Sequence, residues 1–408
     1  MNLSVVVGGG VLGLACAGAL ARRAPGSSVL LLEALEFLGS GTSGRNSGVI
    51  HSGIYYPTGS MKAKMCVEGR HRLYTYIKER LVSHNRCGKL IVATSAEDIP
   101  KLQRILHQAQ QNGLSEDECR LISVEEARAR EPELHCQGAI LCAATGVIDA
   151  SHFMQLLEAD LDDLGVSIVR QCAVESLRWD ADSSKFSIRT NQGTLEANQV
   201  VNCAGLEAPR LAQLMQASRA AHLAPQTLYF AKGSYFKLQP NRRVFSHLVY
   251  PVPTDGGLGV HSTVDLAQQM RFGPDVEWLS SPTSQLDGTS TRAERSNTTP
   301  NQYAWHPDQC TMEHLSKHYF VDPARSASFY EDIRRYYPNL QDNSLVPDFA
   351  GIRPKLVGPG QAAADFLLQG PRVHGCAGLV NLFGVESPGL TSSLAIAERV
   401  VQLLEGQD

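Results

Sequence analysis

The first 33 residues hold a glycine-rich turn in a setting that strongly constrains the fold. An apolar run with β-branched residues, Leu3–Val7, predicts a buried strand, and the sequence GGGVLG (residues 8–13) follows it directly. An Ala- and Leu-rich helical stretch comes next, and a second apolar run, residues 29–32, ends in Glu33. This order of strand, G-x-G-x-x-G turn, helix, strand and acid predicts a Rossmann-type dinucleotide-binding unit.

The residues of this unit have separate physical roles. Gly8 permits the tight turn, and Gly10 lets backbone amides approach a pyrophosphate at the helix N-terminus. Gly13 lets the helix pack closely on the strand, and Glu33 stands where a carboxylate accepts hydrogen bonds from a ribose diol. A glycine-rich turn without a nucleotide is the alternative interpretation, and the surrounding element order argues against it. We therefore assign to cofactor binding Gly8, Gly10, Val11, Leu12, Gly13 and Glu33.

Length and charge exclude several functional classes. A chain of 408 residues is long for a single core and predicts two domains. The net charge is −4 without a long basic run, so we expect neither a nucleic acid nor an anionic membrane surface as partner. The apolar stretches are too short or too glycine-rich for a transmembrane segment. We expect no signal peptide, because the first strand begins at Leu3.

Cysteine usage points to a reducing compartment. Ten cysteines are scattered without a C-x-x-C pair, which disfavours a disulfide framework in a chain of this size. We therefore expect a cytoplasmic protein. The sequence shows neither metal-ligand spacing nor a G-x-S-x-G elbow, so we predict no metal site and no serine hydrolase.

A second glycine- and serine-rich stretch, residues 39–56, contains Arg45, Asn46 and His51. Hydroxyls and backbone amides beside an arginine suit a second approach to a phosphate or to a ring system. A surface loop with a solvated arginine and a packed histidine is the alternative that composition alone leaves open.

Further strands and one polar stretch complete the pattern. A buried strand at 199–203 ends in Ala204-Gly205, and further strands are predicted at 228–238, 244–252 and 258–263. Residues 280–310 lose periodicity and predict an exposed, mobile insertion. Near the C-terminus, Ser387-Pro388 and small residues precede a predicted helix at 394–404, whose N-terminal amides suit an electron-rich group.

Several segments resemble the D-amino-acid oxidase family of FAD-dependent oxidoreductases. Within that family the resemblance is strongest to the L-2-hydroxyglutarate dehydrogenases and their bacterial oxidase relatives. Besides residues 5–33 and 376–393, the matching segments are RNSGVIHSGIYY (45–56), CGKLIVA (87–93), YPVP (250–253), GVH (259–261) and AGIR (350–353). The chain departs from the family at 231–235, where AKGSY replaces an Arg-Gly pair, and at 383–391, which looks like a bacterial subgroup.

The resemblance implies an α/β fold, α+β overall. It consists of a Rossmann-like FAD-binding domain and an interleaved antiparallel β-sheet substrate domain. We expect the FAD-binding domain to comprise residues 1–85, 150–215 and 346–408, and the substrate domain to comprise 86–149 and 216–345.

The resemblance also implies an extended FAD and its contacts. Residues of the second loop line the pyrophosphate and ring, Val174 touches the adenine through its backbone, and Ala204-Gly205 passes under the pyrophosphate. The last helix directs its N-terminus at the pyrimidine end of the flavin, where its dipole favours the anionic reduced form. Besides the residues assigned above, the implied contacts are Thr42, Ser43, Arg45, Asn46, Ser47, Gly48, Val174, Ala204, Gly205, Gly384, Gly389, Leu390 and Thr391.

The implied reaction is oxidation of a small-molecule 2-hydroxy acid, most closely L-2-hydroxyglutarate, to the 2-oxo acid. An alcohol is a very weak acid, so a base is needed, and His51 and then His261 are the candidates. Arg353 is the candidate clamp for the substrate carboxylate, and Lys232, Tyr235 and Tyr250 are candidates for further substrate contacts. Each of these residues also has a purely structural interpretation.

Two other functions stay open at this point. One is a flavin amine or amino-acid oxidase of the same fold, and the other is an FAD-binding protein without turnover that recruits a partner through the insertion. The resemblance leaves open the electron acceptor, which is oxygen, a quinone or an electron-transfer protein. It also leaves open whether FAD is covalently attached. A mitochondrial or membrane-associated location is the alternative to the cytoplasm.

Overall fold

The computed structural model of the chain describes residues 2–217, 226–253, 259–282 and 300–407. Within these residues the α-helices are α1 (Val11–Arg23), α2 (Met61–Arg80), α3 (Ile99–Gln111), α4 (Val124–Arg130), α5 (Ala150–Asp163), α6 (Ala208–Gln213), α7 (Met312–Leu315), α8 (Ser326–Arg334), α9 (Pro371–His374) and α10 (Gly389–Leu404).

The strands are distributed along the described chain, some between these helices and others in uninterrupted runs. They are β1 (Leu3–Val7), β2 (Ser28–Leu32), β3 (Val49–Ile50), β4 (His84–Asn85), β5 (Lys89–Ala93), β6 (Cys119–Ile122), β7 (Gly138–Cys142), β8 (Gly146–Ile148), β9 (Ser167–Val169), β10 (Val174–Asp180), β11 (Lys185–Thr190), β12 (Gly193–Ala197), β13 (Gln199–Asn202), β14 (Met215–Ala217), β15 (Leu228–Leu238), β16 (Leu248–Pro251), β17 (Ser262–Val264), β18 (Met270–Phe272), β19 (Glu277–Trp278), β20 (Ala304–Trp305), β21 (Leu345–Lys355), β22 (Leu367–Gln369) and β23 (Leu379–Phe383).

A six-stranded sheet carries the glycine-rich turn. Its order is β22-β23-β13-β1-β2-β9, and all of its pairs are parallel except β22–β23. Successive side chains point to opposite faces, so Val6 packs with helices α1, α5 and α10, whereas Val5 packs with the sheet β12-β11-β10-β14. Both valines are fully buried, which explains the continuous apolar run in the sequence.

A larger, ten-stranded sheet forms the second part of the fold. Its order is β19-β15-β18-β17-β16-β5-β7-β6, and β20 and β21 also pair with β15. β15 has the predicted limits, 228 and 238, and pairs with β21 along most of its length. The predicted antiparallel sheet is corrected at one point, because β5 and β16 pair in parallel. The chain thus has the predicted mixed α/β architecture.

The domain limits proposed from the sequence remain a prediction. The structure shows that β21 pairs with β15 of the large sheet, although residues 346–355 were expected with the nucleotide-binding part. β3 and β8 pair with each other, although they fall on opposite sides of the expected boundary at residue 85. These pairings arise because sheet partners are chosen by shared buried faces and not by sequence continuity.

The predicted insertion divides into two parts. Residues 283–299 lie outside the described residues. Trp305 in β20 pairs with Leu228, is fully buried and packs edge to face on Phe230 with ring centroids 5.1 Å apart. The expectation of an exposed segment is therefore wrong at Trp305, because an aromatic side chain of this size completes the core under β15.

The last helix begins earlier than expected. α10 starts at Gly389, five residues before the predicted Leu394. Gly69 of α2 lies so close that an added Cβ would meet the Thr391 carbonyl oxygen at 2.5 Å. Tertiary packing therefore holds a first turn whose glycine, threonine and serines are weak helix formers. Among the helices of the four described ranges, none combines the length and apolar composition needed to cross a membrane.

Candidate active site

A cavity begins at the carboxyl edge of the six-stranded sheet and extends to the large sheet. Its nucleotide end is lined by residues that directly follow β1, β2 and β13, as expected for a ligand site of a doubly wound sheet. Its far end is lined by side chains of β15, β16 and β21. The predicted site residues that line it are Gly8, Gly10, Val11, Leu12, Glu33, Thr42, Ser43, Arg45, Asn46, Ser47, His51, Val174, Ala204, Gly205, Tyr235, Tyr250, His261, Arg353, Gly389 and Leu390.

The glycine-rich turn has no room for side chains. Gly8 has φ +108°, and a Cβ there would meet the Cys203 carbonyl oxygen at 2.5 Å. A Cβ on Gly13 would meet the Gly8 carbonyl oxygen at 1.8 Å, so close helix–strand packing depends on this glycine. Backbone amides at the start of α1 are therefore reachable from the cavity, which is the arrangement that a pyrophosphate requires.

Glu33 is oriented by the backbone of the turn. Its Oε2 accepts a hydrogen bond from the Gly9 amide at 2.6 Å, and its Oε1 accepts one from the Leu35 amide at 2.8 Å. A carboxylate retains further lone pairs after two such bonds. Glu33 can therefore present acceptors to the cavity, which it lines.

The second loop is held by its own polar side chains. Ser43 Oγ accepts from the Val11 amide at 3.0 Å, and Asn46 Oδ1 accepts from the Gly48 amide at 2.8 Å. The Arg45 guanidinium stacks over the Tyr319 ring at 3.8 Å, and within the described residues its Nε has no hydrogen-bond partner. This loop is thus a built cavity wall, and the alternative of a solvated surface loop does not describe it.

Five predicted site residues lie outside the cavity lining of the described chain. Gly13 and Gly384 are packing positions, and Gly48 has φ +64° in a tight turn. Thr391 Oγ1 accepts from the His51 amide at 2.9 Å and donates to the Val49 carbonyl at 3.3 Å, so it fastens α10 to β3. Lys232 faces Glu277, with 3.3 Å between Nζ and Oε2.

Two histidines and two tyrosines lie at the far end. The His261 ring stacks on Tyr250 with centroids 3.7 Å apart and planes inclined by 20°. Its Nδ1 lies 3.2 Å from the Gly259 carbonyl oxygen, which can only accept, so Nδ1 donates and Nε2 is the free acceptor. His51 Nε2 lies 3.2 Å from the Ser387 hydroxyl, beside the start of α10.

Both histidines are neutral near pH 7. Burial, with contributions from Lys89 and His261, holds the pKa of His51 well below its ordinary range. Burial, followed by the charge of Lys89, lowers the pKa of His261 to about 3. An unprotonated imidazole is a proton acceptor, so either residue has the protonation state that a general base needs.

Arg353 enters the same end from β21. Its Nη2 donates to the Asp275 carbonyl at 3.0 Å, and its Nε is buried without a hydrogen-bond partner in the described part of the chain. A half-buried, incompletely bonded guanidinium that lines a cavity suits a carboxylate, which accepts two parallel hydrogen bonds from it.

Sequence reasoning missed several residues at this site. Glu207 and Arg210 line the cavity beyond β13, and burial raises the pKa of the Glu207 carboxyl. Glu386 lines it beside α10 and is paired with Lys62 at 3.1 Å and with Lys355 at 2.7 Å. Glu207 could have been found from the sequence, because it follows Ala204-Gly205 at the carboxyl edge of the predicted sheet. Glu386 could not, because its ion pairs with Lys62 and Lys355 join segments that are distant in the sequence. In the described ranges no cluster of histidine, cysteine and carboxylate side chains suits a metal ion.

Comparison with known proteins places this geometry in a family. The family model described as FAD dependent oxidoreductase matches residues 4–403. The mitochondrial L-2-hydroxyglutarate dehydrogenase of Arabidopsis thaliana is 41% identical to this chain, with 97% of the chain and 82% of that protein aligned. The mitochondrial protein of the same name from Caenorhabditis elegans is 31% identical, with 97% and 91% aligned.

A solved structure shares the fold. The L-α-glycerophosphate oxidase of Mycoplasma pneumoniae, solved with FAD bound, superposes with a TM-score of 0.78 over 99% of this chain and 95% of that one, at 23% identity. Because the family model matches residues 4–403 and the Arabidopsis relative aligns with nearly the whole chain, the chain belongs to the family of FAD-dependent oxidoreductases, and FAD is its cofactor.

Proposed function

We propose that this protein oxidises L-2-hydroxyglutarate to 2-oxoglutarate with FAD as the hydride acceptor. The observation that carries the proposal is the far end of the cavity, which is lined by a half-buried arginine, Arg353, and by two neutral imidazoles, His51 and His261. The names of the relatives from Arabidopsis and Caenorhabditis support the choice of substrate.

The residues present fit an extended dinucleotide. The turn at Gly8 and Gly10 forms a cradle that a Cβ would fill, and Glu33 supplies acceptors for a ribose diol. Val174, Ala204 and Gly205 line the same end of the cavity, while Ser47, Gly389 and Leu390 line it toward the substrate side. When bound, FAD supplies the acceptor for the hydride that leaves the carbinol carbon.

The protein's own groups bind the acid and move its proton. Arg353 binds the carboxylate next to the carbinol, which fixes the orientation of the C–H bond. His51 accepts the hydroxyl proton at its Nε2 as the hydride leaves, so a 2-oxo acid forms without a charged alkoxide being left. Tyr235 and Tyr250 line this end, where they exclude water from the reacting carbon.

The test is an anaerobic visible spectrum of the FAD-loaded protein before and after addition of L-2-hydroxyglutarate. We expect the oxidised flavin bands to bleach with L-2-hydroxyglutarate and to persist with the D-isomer and with L-amino acids. Bleaching by amino acids alone indicates an amino-acid oxidase, and persistence of the bands with every acid removes the proposal. The measurement does not depend on whether oxygen, a quinone or an electron-transfer protein later reoxidises the flavin.

The compartment is the second part of the proposal. All ten cysteines are free, and nine of them are buried, as suits a reducing compartment. We propose the cytoplasm, with the mitochondrion, named for the relatives, as the other outcome of cell fractionation.

Gly13→Ala is expected to lower FAD affinity at least tenfold and to destabilise the protein by about 1–3 kcal/mol or more. The new Cβ is forced against the Gly8 carbonyl, so α1 moves away from β1 and the turn opens. Flavin retention on dialysis and thermal unfolding measure both effects. Gly18→Ala on the same helix is the control, because the atoms nearest to its Cβ would be the ends of the Arg22 and Leu161 side chains, at 3.3–3.4 Å. Equal behaviour of the two variants contradicts the role given to Gly13.

A further inference from the structure

Lys89 is a buried cation beside the far end of the cavity. It is the first residue of β5, and only 1% of its surface is exposed. Its Nζ lies 3.9 Å from the centre of the Tyr250 ring and 5.6 Å from that of Tyr55. An ammonium group is strongly hydrated in water, so burial without a carboxylate partner, as found for Lys89 within the described residues, is costly.

The ammonium group lies directly behind the cavity wall. The His261 ring covers one face of Tyr250 at 3.7 Å and nearly parallel, so Lys89 Nζ occupies the opposite face. Tyr250 and His261 both line the cavity. Along the axis of this stack, the charge is thus separated from the ligand space by the Tyr250 ring and then by the His261 ring.

The surroundings of Lys89 contain thiols and phenols rather than carboxylates. Within the described residues, the groups that act on its charge are the thiols of Cys142, Cys66, Cys87 and Cys119. Cys142 is hydrogen-bonded with Cys119, which lowers the pKa of the Cys142 thiol, and Ser52 and Thr145 are its further hydrogen-bond partners. The other titratable neighbours are Tyr55, Tyr250, His51 and His261.

We propose that Lys89 is a specificity-determining residue whose ammonium group, held behind Tyr250, selects dicarboxylate substrates by attracting the carboxylate distal to the reacting carbon. The inference rests on the proposed function and deepens it. Arg353 and Lys89 approach the Tyr250–His261 pair from different strands, β21 and β5, and the charges of both act on His261. Both histidines are neutral, so the charges of this region are those of Arg353, Lys89 and the cluster of Glu386 with Lys62 and Lys355.

Binding of unreactive acids tests the inference directly. Glutarate has both carboxylates of the substrate and no hydroxyl, and pentanoate has the same length and one carboxylate. Isothermal titration of the FAD-loaded protein is expected to show at least a tenfold rise in the Kd of glutarate on Lys89→Met, with the Kd of pentanoate changed less than threefold. Lys89→Arg, which keeps a charge, is expected to restore glutarate binding to within threefold of wild type.

Cys142→Ser serves as the matched control. It perturbs the packing beside Lys89 but keeps the lysine, so we expect the preference for glutarate over pentanoate to stay within threefold of wild type. If Cys142→Ser lowers the preference as much as Lys89→Met does, or if Lys89→Met weakens both acids equally, the inference is overturned.

The wild-type protein offers a test that needs no variant. Burial lowers the pKa of Lys89 to about 8, so its charge is present at pH 7 and lost as the pH rises through that value. The Kd of glutarate is therefore expected to rise several-fold between pH 7 and 9.5, while that of pentanoate stays flat. The rise should vanish in Lys89→Arg, because arginine stays charged throughout. A flat glutarate profile in the wild type contradicts the inference.

Failure of this inference is distinguishable from failure of the proposed function. If glutarate binding depends on Lys89 but the oxidised flavin bands persist with L-2-hydroxyglutarate, the proposed reaction is contradicted and the dicarboxylate site is supported. If L-2-hydroxyglutarate bleaches the flavin but glutarate binding does not depend on Lys89, the proposed reaction is supported and the role of Lys89 is contradicted.

Discussion

His51→Gln is expected to slow flavin reduction by L-2-hydroxyglutarate about 10²–10⁴-fold, the usual contribution of a general base. Glutamine keeps a polar group for the Ser387 hydroxyl, so the loss reports the missing proton acceptor rather than a broken contact. Anaerobic stopped-flow absorbance gives the limiting rate and the substrate Kd separately, and we expect the loss in the rate.

His261→Gln distinguishes the two candidate bases. His261 is only 5% exposed and one face of its ring is covered by Tyr250, whereas His51 is half-buried and reaches the start of α10. We therefore expect a smaller effect, below about tenfold, since His261 lies beside the substrate without taking its proton. The reverse ranking assigns the base to His261.

The low pKa of His51 also sets the pH dependence of the rate. The base is active when unprotonated, and burial moves its pKa well below the ordinary value of 6.5. The rate of flavin reduction should therefore stay level from pH 8 to pH 6 and fall only at lower pH. In Lys89→Met a neighbouring positive charge is removed, so the fall should move to higher pH.

Arg353→Met is expected to weaken binding of both glutarate and pentanoate by about two to three orders of magnitude. Truncating one partner of a buried, hydrogen-bonded charge pair has effects of this size, because the remaining carboxylate loses its forked donor. Titration calorimetry on the FAD-loaded protein measures the Kd. A loss of affinity for both acids would distinguish the role of Arg353 from that of Lys89, because replacing Lys89 should weaken the binding of the dicarboxylate alone.

The conservative variant provides the control for Arg353. Lys keeps the charge but loses the two parallel donors, so Arg353→Lys should recover only part of the affinity. An unchanged Kd in Arg353→Met would falsify the clamp and leave Arg353 as a support for the Asp275 carbonyl.

The nucleotide end was predictable because its signal is local. The turn at residues 8–13 joins elements that are consecutive in the chain, and Gly13 is required by its contact with Gly8 in the same turn. The contact of Gly8 with Cys203, which is distant in sequence, is not visible in the local pattern. The limits of β15 were predicted for a similar reason, since its apolar run continues from end to end. Local pattern and period are sufficient where neighbours in sequence are also neighbours in space.

The substrate end was predictable only in part. Lys89 and Tyr250 meet because β5 and β16 pair in parallel, and His261 reaches them from the segment just before β17. The hydrophobic periodicity of each strand does not predict which strands pair, so it carries no information about this cluster. We expected Lys232 to contact the substrate. Its ammonium group instead faces Glu277, which lies opposite it on the neighbouring strand β19. The early start of α10 likewise depends on its contact with Gly69 of another helix.

The contact between the second loop and β21 couples the two ends of the molecule. A Cβ on Gly351 would meet the Arg45 carbonyl oxygen at 2.4 Å, and the Thr42 hydroxyl reaches the Ile352 carbonyl at 3.5 Å. The backbone that lines the nucleotide space therefore lies directly on the strand that carries Arg353. Cofactor occupancy, by mass action, stabilises that backbone and with it the placement of the carboxylate clamp. Loading of FAD and capture of the acid are thus thermodynamically linked, and each is expected to raise the affinity for the other by the same factor.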